Sequence, residues 1–593
     1  MRCYRILILA AICYPLVTCH RDAPKSDRAN EATGDAGTDA ETAMVTDYPI
    51  DDVEVDWFSC SLYEGKDDGR AECSSTPMPL FWDKVDGQTI DVYSKRLIPR
   101  DVAGDTQLWL LAGGPGFSSV VEYPSLMDNW SKKYPSLEVY TIDHRGVGYS
   151  ERLGCPDQED PSGSAGLLID PKEFEKCVQY LETEYGETLS AYNCTYSAID
   201  VAAYIHATRN PDKKLIIWGG SYGSYIAQRY LQIYPEQADA MILEGVVPPD
   251  VAMFRSDESA DEVAMKFFNI CAGHALCKSK LGDDPYQFTR ALLDKIEAGH
   301  CSGFQLTRSM VKEMIMLMLG NWPMNTAIPA MVYKLNRCSD SDLEALAYLF
   351  NNFFAGGDDY VISKDPSPSL SHALYMNVYY SEMYWSPDLD EIDIEYFFEN
   401  LQENTIVGTD LRMTRFEQYE RWPKYKDSLY DDKWATSDIP ILILQGGLDS
   451  ATPLSLAMRV GDHFNGPNQT FAAFPFSAHN VVFGSPTGYE FDAPDCGASL
   501  YLDFLLDPTA PLDLSCIDQA VPPQFEGNVY LSMLIFGTSD YFESDPKKAI
   551  SNDKLVIPPM PAHQIAKIRR SFRRRFPNAP TRLVVKEKSN EQH

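Results

Sequence analysis

Short apolar runs recur along the chain at 108–112, 137–142, 214–218, 240–244, 439–444 and 469–474. Runs of this length predict strands buried on both faces, as in parallel sheets. Between some of them the apolar positions change to a helical period, at 224–234 and 454–464. Strand and helix in alternation predict an α/β fold, a mostly parallel sheet with helices on both faces. The stretch 248–434, between the fourth and fifth runs, is different. It strings together helical patterns such as 262–272, 309–319 and 341–354, and predicts a helical cap inserted into the sheet domain. The sheet domain is then built from 53–247 and 435–544, and no internal repeat is present.

The two ends do not continue this pattern. Arg2 and Arg5 precede an apolar run at 6–17. That run is shorter than the roughly 20 residues of a membrane-spanning helix and fits the apolar region of a signal peptide. It ends in Leu16-Val17-Thr18-Cys19, which resembles a bacterial lipoprotein box with Thr18 where Gly, Ala or Ser is usual. Residues 20–52 are polar and carry too little apolar surface to fold, so they read as a tether. Two readings follow: membrane anchoring through a lipid on Cys19, at an outer or cell-surface membrane, or a cleaved signal and a secreted or periplasmic product. The extension 545–593 carries a basic cluster, Arg569, Arg570, Arg573, Arg574 and Arg575, which fits a solvated terminal helix.

Composition narrows the classes. Apolar residues at 44% and charged residues at 23% over 593 positions belong to a soluble globular protein with a large core. A net charge of −35 repels phosphate, so a nucleic-acid partner is not expected. Of 14 cysteines, Cys3, Cys13 and Cys19 lie in the signal region. In an exported chain the others read mostly as disulfides. Local spacing suggests Cys60–Cys73, Cys155–Cys177, Cys271–Cys277, Cys301–Cys338 and Cys496–Cys516, with Cys194 left over. Neither Cys-x-x-Cys nor His-Glu-x-x-His occurs, and no metal or cofactor is expected.

The candidate chemistry begins at Gly219-Gly220-Ser221-Tyr222-Gly223, the one G-x-S-x-G in the chain. A predicted strand precedes it and a helical pattern follows, which is the strand-turn-helix setting that exposes a nucleophilic serine. A serine hydroxyl needs a base to attack at neutral pH. In this setting the partners follow in the order Ser, acid, His. Asp449 stands just after the fifth predicted strand and His479 just after the sixth. Asp449 also suits a helix cap. The nearest rival histidine, His463, falls inside an amphipathic helical pattern. Donors to a developing oxyanion are expected from the backbone N–H of Tyr222 and from the Gly113-Gly114-Pro115-Gly116 loop, Gly114 before Gly113.

These residues, together with Asp143-His144-Arg145-Gly146-Val147-Gly148-Tyr149-Ser150, Gly446-Gly447-Leu448-Asp449 and Arg152-Leu153-Gly154-Cys155-Pro156, resemble the exported branch of the proline iminopeptidase and tripeptidyl aminopeptidase family of α/β-hydrolase serine peptidases. The resemblance runs from about Trp57 to Tyr541. It implies hydrolysis of amide bonds near the free N-terminus of a peptide substrate. Ala112 stands where many relatives have His, and the stretch 379–382 lacks a Cys often seen there; both departures bear on the substrate rather than on the nucleophile. An exopeptidase needs a carboxylate for the substrate's ammonium. Glu382 occupies a cap position resembling that of the family's amine-binding acid, and Glu244, at a strand end, is the second choice. Each could equally be a structural ion pair. A carboxylesterase or lipase-type hydrolase would use the same machinery, and a non-catalytic binding protein would not need it intact.

Overall fold

A computed structural model of the protein describes residues 48–543, apart from 64–67, 85–86, 161–166, 303–305, 355–368, 409–411, 428 and 491–492. The signal region with Cys19, nearly all of the tether and the basic cluster lie outside the described residues.

A nine-stranded sheet forms the centre, in the order β1-β2-β3-β5-β4-β6-β7-β8-β9. The strands are β1 (Phe58–Cys60), β2 (Ala71–Pro79), β3 (Thr89–Leu97), β4 (Thr106–Leu111), β5 (Leu137–Asp143), β6 (Lys214–Gly220), β7 (Ala240–Glu244), β8 (Ile441–Gly446) and β9 (Gln469–Phe474). From β5 to β9 all pairing is parallel, and these six strands are the six apolar runs of the sequence. β1, β2 and β3 were not among those runs; they add an antiparallel edge. Alternate residues serve opposite faces, as a period of two requires. Trp109, Ile217 and Ile443 pack into one apolar cluster, whereas Leu108, Ile216 and Leu442 pack into the other.

Register brings the functional candidates to one edge. Leu111 pairs with Gly219, Gly220 with Glu244, and Glu244 with Leu444, so the carboxyl ends of β4, β6, β7 and β8 are level. Loops at that edge of an open α/β sheet form the usual place for a site.

The inserted helices build their own apolar cluster, with Phe267, Met314, Ile315, Met331 and Phe350 fully or nearly fully buried. Helices Ser256–Gly273, Arg308–Leu319 and Asp340–Phe353 coincide with the helical patterns at 262–272, 309–319 and 341–354. The boundaries differ from the sequence reading in three places. Phe525, Ile535, Phe536, Tyr541 and Phe542, placed by sequence in the sheet domain, pack into the cap cluster. Tyr379, Tyr380, Met383 and Trp422, within the stretch read as cap, pack against the sheet domain. Tyr48 and Ile50, at the end of the stretch read as tether, are buried in that same cluster. Large apolar side chains decide each case, because each finds a core to enter.

Among the described residues, five disulfides join the pairs expected from spacing, with Cα–Cα separations of 5.4–5.9 Å, and Cys194 is free and buried. Cys301–Cys338 closes the longest loop, 37 residues of the cap. Constraining a loop of that length in the unfolded chain stabilises by roughly 3–4 kcal/mol. Replacing both cysteines by alanine is expected to lower cap stability by that amount, read as a shift in the urea midpoint. An unchanged midpoint would refute it.

Candidate active site

Ser221 sits between β6 and the helix Tyr222–Ile233 with φ 56° and ψ −126°, a left-handed conformation that a non-glycine residue adopts only when its surroundings impose it. Two glycines make the turn feasible. A Cβ on Gly223 would run into the Leu111 carbonyl, and one on Gly219 into the Gly223 carbonyl. Ser224 Oγ closes the turn by donating to the Ser221 carbonyl at 2.6 Å. The Tyr222 N–H opens the helix, where no preceding turn supplies an acceptor, and is left to serve another group.

Asp449 lies in the loop after β8 and is fully buried. Its carboxylate stands 2.9 and 3.0 Å from His479 Nδ1. It also accepts the N–H groups of Ala451 and Thr452, the Thr452 hydroxyl at 2.7 Å and Gln445 Nε2 at 3.1 Å. Burial alone would raise its pKa, but the imidazole and these donors outweigh burial and hold it below the usual carboxylate value. An ionised acid on Nδ1 fixes the tautomer that leaves Nε2 free to take a proton. The cap reaches this loop too, since Lys266 donates to the Gly447 carbonyl at 2.9 Å.

The glycine loop is set by the Asp143 motif. The Asp143 carboxylate accepts the Ser118 hydroxyl and the N–H groups of Val120 and Tyr149. Burial pushes its pKa up to about 6 despite these donors. Arg145 is fully buried, pairs with Asp200 and donates to the carbonyls of Leu80 and Ala191. Gly114 has φ +134°, and a Cβ on Gly113 would lie 2.9 Å from the Ser221 Cβ. Glycine is therefore required at both positions.

Ser221, His479, Gly113 and Gly114 line one cavity of about 960 Å³. Trp322 and Pro323 of the cap and residues 520–524 near the end of the described chain complete its walls. Its described lining carries Glu122, Glu244, Glu490 and Asp495 and neither Lys nor Arg, alongside many aromatic rings. Sequence reasoning missed Glu122, Glu490, Asp495 and Trp322, because only the folded chain brings them to Ser221.

Residues 108–269 match the family described as alpha/beta hydrolase fold. The fold is that of the α/β hydrolases. Among relatives of this chain, the serine protease Hip1 of Mycobacterium tuberculosis is 29% identical over 257 residues, 39% of this chain and 47% of that protein. A tripeptidyl aminopeptidase of Streptomyces lividans is 26% identical over 33% of this chain and 38% of its own. A proline iminopeptidase of Aeromonas sobria is 26% identical over 30% and 36%. The chain spans less than half the length of each of these relatives.

The other predicted positions fall as follows. His463 contacts the Ala435 carbonyl through Nε2 at 2.6 Å and packs on Trp434, a packing role away from the cavity. Glu244 lines the cavity, but its Oε1 accepts the N–H groups of Val481 and Val482. Glu382 does not line the cavity. Its carboxylate accepts the Cys194 N–H at 2.9 Å and the Tyr425 hydroxyl at 2.5 Å, with Arg229 at 3.6 Å. The aromatic surroundings read from sequence are present, yet the ammonium placed there by the amine-binding reading is replaced by a guanidinium of the protein. The Arg229 guanidinium also meets Asp431 at 3.0 Å and Asp427 at 3.7 Å. Burial first, and then the charge of Asp431, push the Glu382 pKa up to about 7.

Proposed function

We propose that this protein is a serine exopeptidase that cleaves amide bonds near the free N-terminus of peptides. The reading rests above all on a serine held at positive φ that shares one cavity with a histidine whose Nδ1 meets a buried carboxylate. Ser221 attacks the carbonyl carbon as His479 takes its proton; Asp449 holds the imidazole and stabilises its charged form. The N–H groups of Tyr222 and Gly114 receive the oxyanion. The leaving amine takes the proton from His479, and water then cleaves the acyl-enzyme along the reverse path. The peptidase names of the three relatives support an amide substrate over an ester. Apart from Glu244, whose carboxylate accepts the Val481 and Val482 N–H groups, the described lining carries Glu122, Glu490 and Asp495 and no Lys or Arg, which favours a cationic amino end.

The five disulfides support export to an oxidising compartment. Attachment to a membrane through Cys19 belongs to the same proposal and rests on the sequence alone. No described helix is long and apolar enough to cross a membrane.

The test compares short peptide amides with free and acetylated amino ends. A free amino end is expected to raise kcat/KM by roughly ten- to a hundred-fold, the scale of one charge-assisted contact of about 1.5–3 kcal/mol. Equal rates on both, with faster turnover of simple acyl esters, would refute the exopeptidase and favour a carboxylesterase.

A further inference from the structure

We propose that Glu244 is a positioning residue: its carboxylate holds the His479 loop, within a turn after β7 that also touches the other two members of the triad. The proposal rests on the reading of Ser221, Asp449 and His479 as that triad. The geometry is unusually concentrated in four consecutive residues. The Glu244 carbonyl accepts the Ser221 N–H at 2.8 Å, which fixes the nucleophile's backbone. The Glu244 side chain, 6% exposed, accepts the N–H groups of Val481 and Val482 on Oε1 at 2.7 and 2.9 Å. Those two residues follow His479 almost directly.

Gly245, at φ +56°, lies under the imidazole; a Cβ there would stand 3.0 Å from both His479 Cε1 and Nδ1. The Val246 N–H goes to Gln445 Oε1 at 3.0 Å, and Gln445 Nε2 in turn donates to Asp449. The Val247 N–H goes to Ser224 Oγ at 3.0 Å, the hydroxyl that closes the Ser221 turn. The nucleophile, base and acid come from three separate segments, and this turn is a frame common to all of them.

Two backbone donors on one carboxylate oxygen are the signature of a loop clamp. A receptor for a substrate ammonium needs its oxygens directed at the ligand. The titratable groups facing the carboxylate are His479, Tyr123 from the segment after the glycine loop, and Tyr501 from the helix Cys496–Leu506. Of these, only the imidazole becomes a cation.

The experiment measures kcat and KM for Glu244→Ala and Glu244→Gln on a free-amino peptide amide and on a small acyl ester, together with the rate of labelling by a fluorophosphonate. Glu244→Ala is expected to lower kcat about a hundred-fold on both substrates, the scale of a displacement of about 1 Å at the reacting groups. KM stays within about three-fold, and labelling slows in parallel. Glu244→Gln keeps an acceptor oxygen and is expected to lose only about five- to ten-fold. A side chain that served only the fold would lower the thermal midpoint and leave kcat and the labelling rate of the folded protein unchanged.

The proposal is overturned if Glu244→Ala raises KM for the free-amino substrate alone and leaves ester turnover intact, which would make Glu244 an ammonium receptor. It is also overturned if Glu244→Gln loses as much kcat as Glu244→Ala. Where Glu244→Ala does not fold, the glutamine variant decides: a kcat lowered about five- to ten-fold on both substrates with KM nearly unchanged and labelling slowed in parallel supports the proposal, and an unchanged kcat or a raised KM for the free-amino substrate alone overturns it. Failure of the triad reading is separate, because the unaltered protein would then resist the fluorophosphonate altogether.

Discussion

Replacing Ser221 by alanine is expected to lower kcat by about 10⁴- to 10⁶-fold while leaving the thermal midpoint within about 2 °C. The side chain supplies the attacking oxygen and makes no hydrogen bond on which the turn depends. The turn is held instead by the Ser221 backbone, through Ser224 Oγ and the Glu244 carbonyl. His479→Ala is expected to cost as much, since groups that act as a unit do not lose their effects additively. Asp449→Ala is expected to cost less in rate, but it also strips acceptors from Ala451, Thr452 and Gln445 and should lower stability as well. Steady-state assays with a free-amino peptide amide, alongside fluorophosphonate labelling, would settle this. A Ser221→Ala protein with a tenth of the original activity would remove the whole assignment.

The largest effect on stability is expected at Arg229. Its guanidinium, 2% exposed, is shared by Glu382, Asp427 and Asp431. Arg229→Met leaves three carboxylates facing one another with no cation between them, and breaking a buried ion pair by removing one partner costs about 3–5 kcal/mol. The loss is expected to shrink as the pH falls, because protonated carboxyls no longer repel. In the unaltered protein the same sign holds for Glu382. Its pKa, raised from 4.5 to about 7 in the folded state, means that the folded form holds the proton more firmly than the unfolded form. That contribution is complete below about 4.5 and is lost as the pH rises through 7. Urea unfolding at pH 5 and pH 8 tests both statements. Adding Glu382→Gln to Arg229→Met should recover part of the loss at pH 8, and no recovery would refute the account.

Most of the sheet was legible in the sequence because a strand buried on both faces leaves an apolar run, as β4 to β8 do, and the less buried β9 still carries one at 471–474. β2 and β3 do not. Their burial alternates with exposed positions, and Pro77 and Pro79 interrupt β2, so no run marks them. The triad candidates were legible for another reason, since motif, strand position and chain order all converge on the same three residues. The setting of Glu382 was not legible, because its neighbours Arg229, Tyr425 and Asp431 are scattered along the chain. Local sequence showed an acid among aromatic residues and could not show which cation it would meet. For Glu244 the strand end was readable, but the two N–H groups that occupy its carboxylate belong to a loop brought alongside only by the β7–β8–β9 register.

β7 and β8 are neighbours in the sheet, although the whole cap lies between them in the chain. A chain growing from its N-terminus therefore carries Ser221 long before Asp449 or His479 has been synthesised. The elbow itself lacks a wall until β8 arrives, because Gly245 donates to Leu444. Long-range pairings of this kind form late, after the intervening segment has collapsed. The proposed activity is then a property of the finished sheet only. A chain cut before β8 would be inert, and the appearance of activity would time the closing of the sheet.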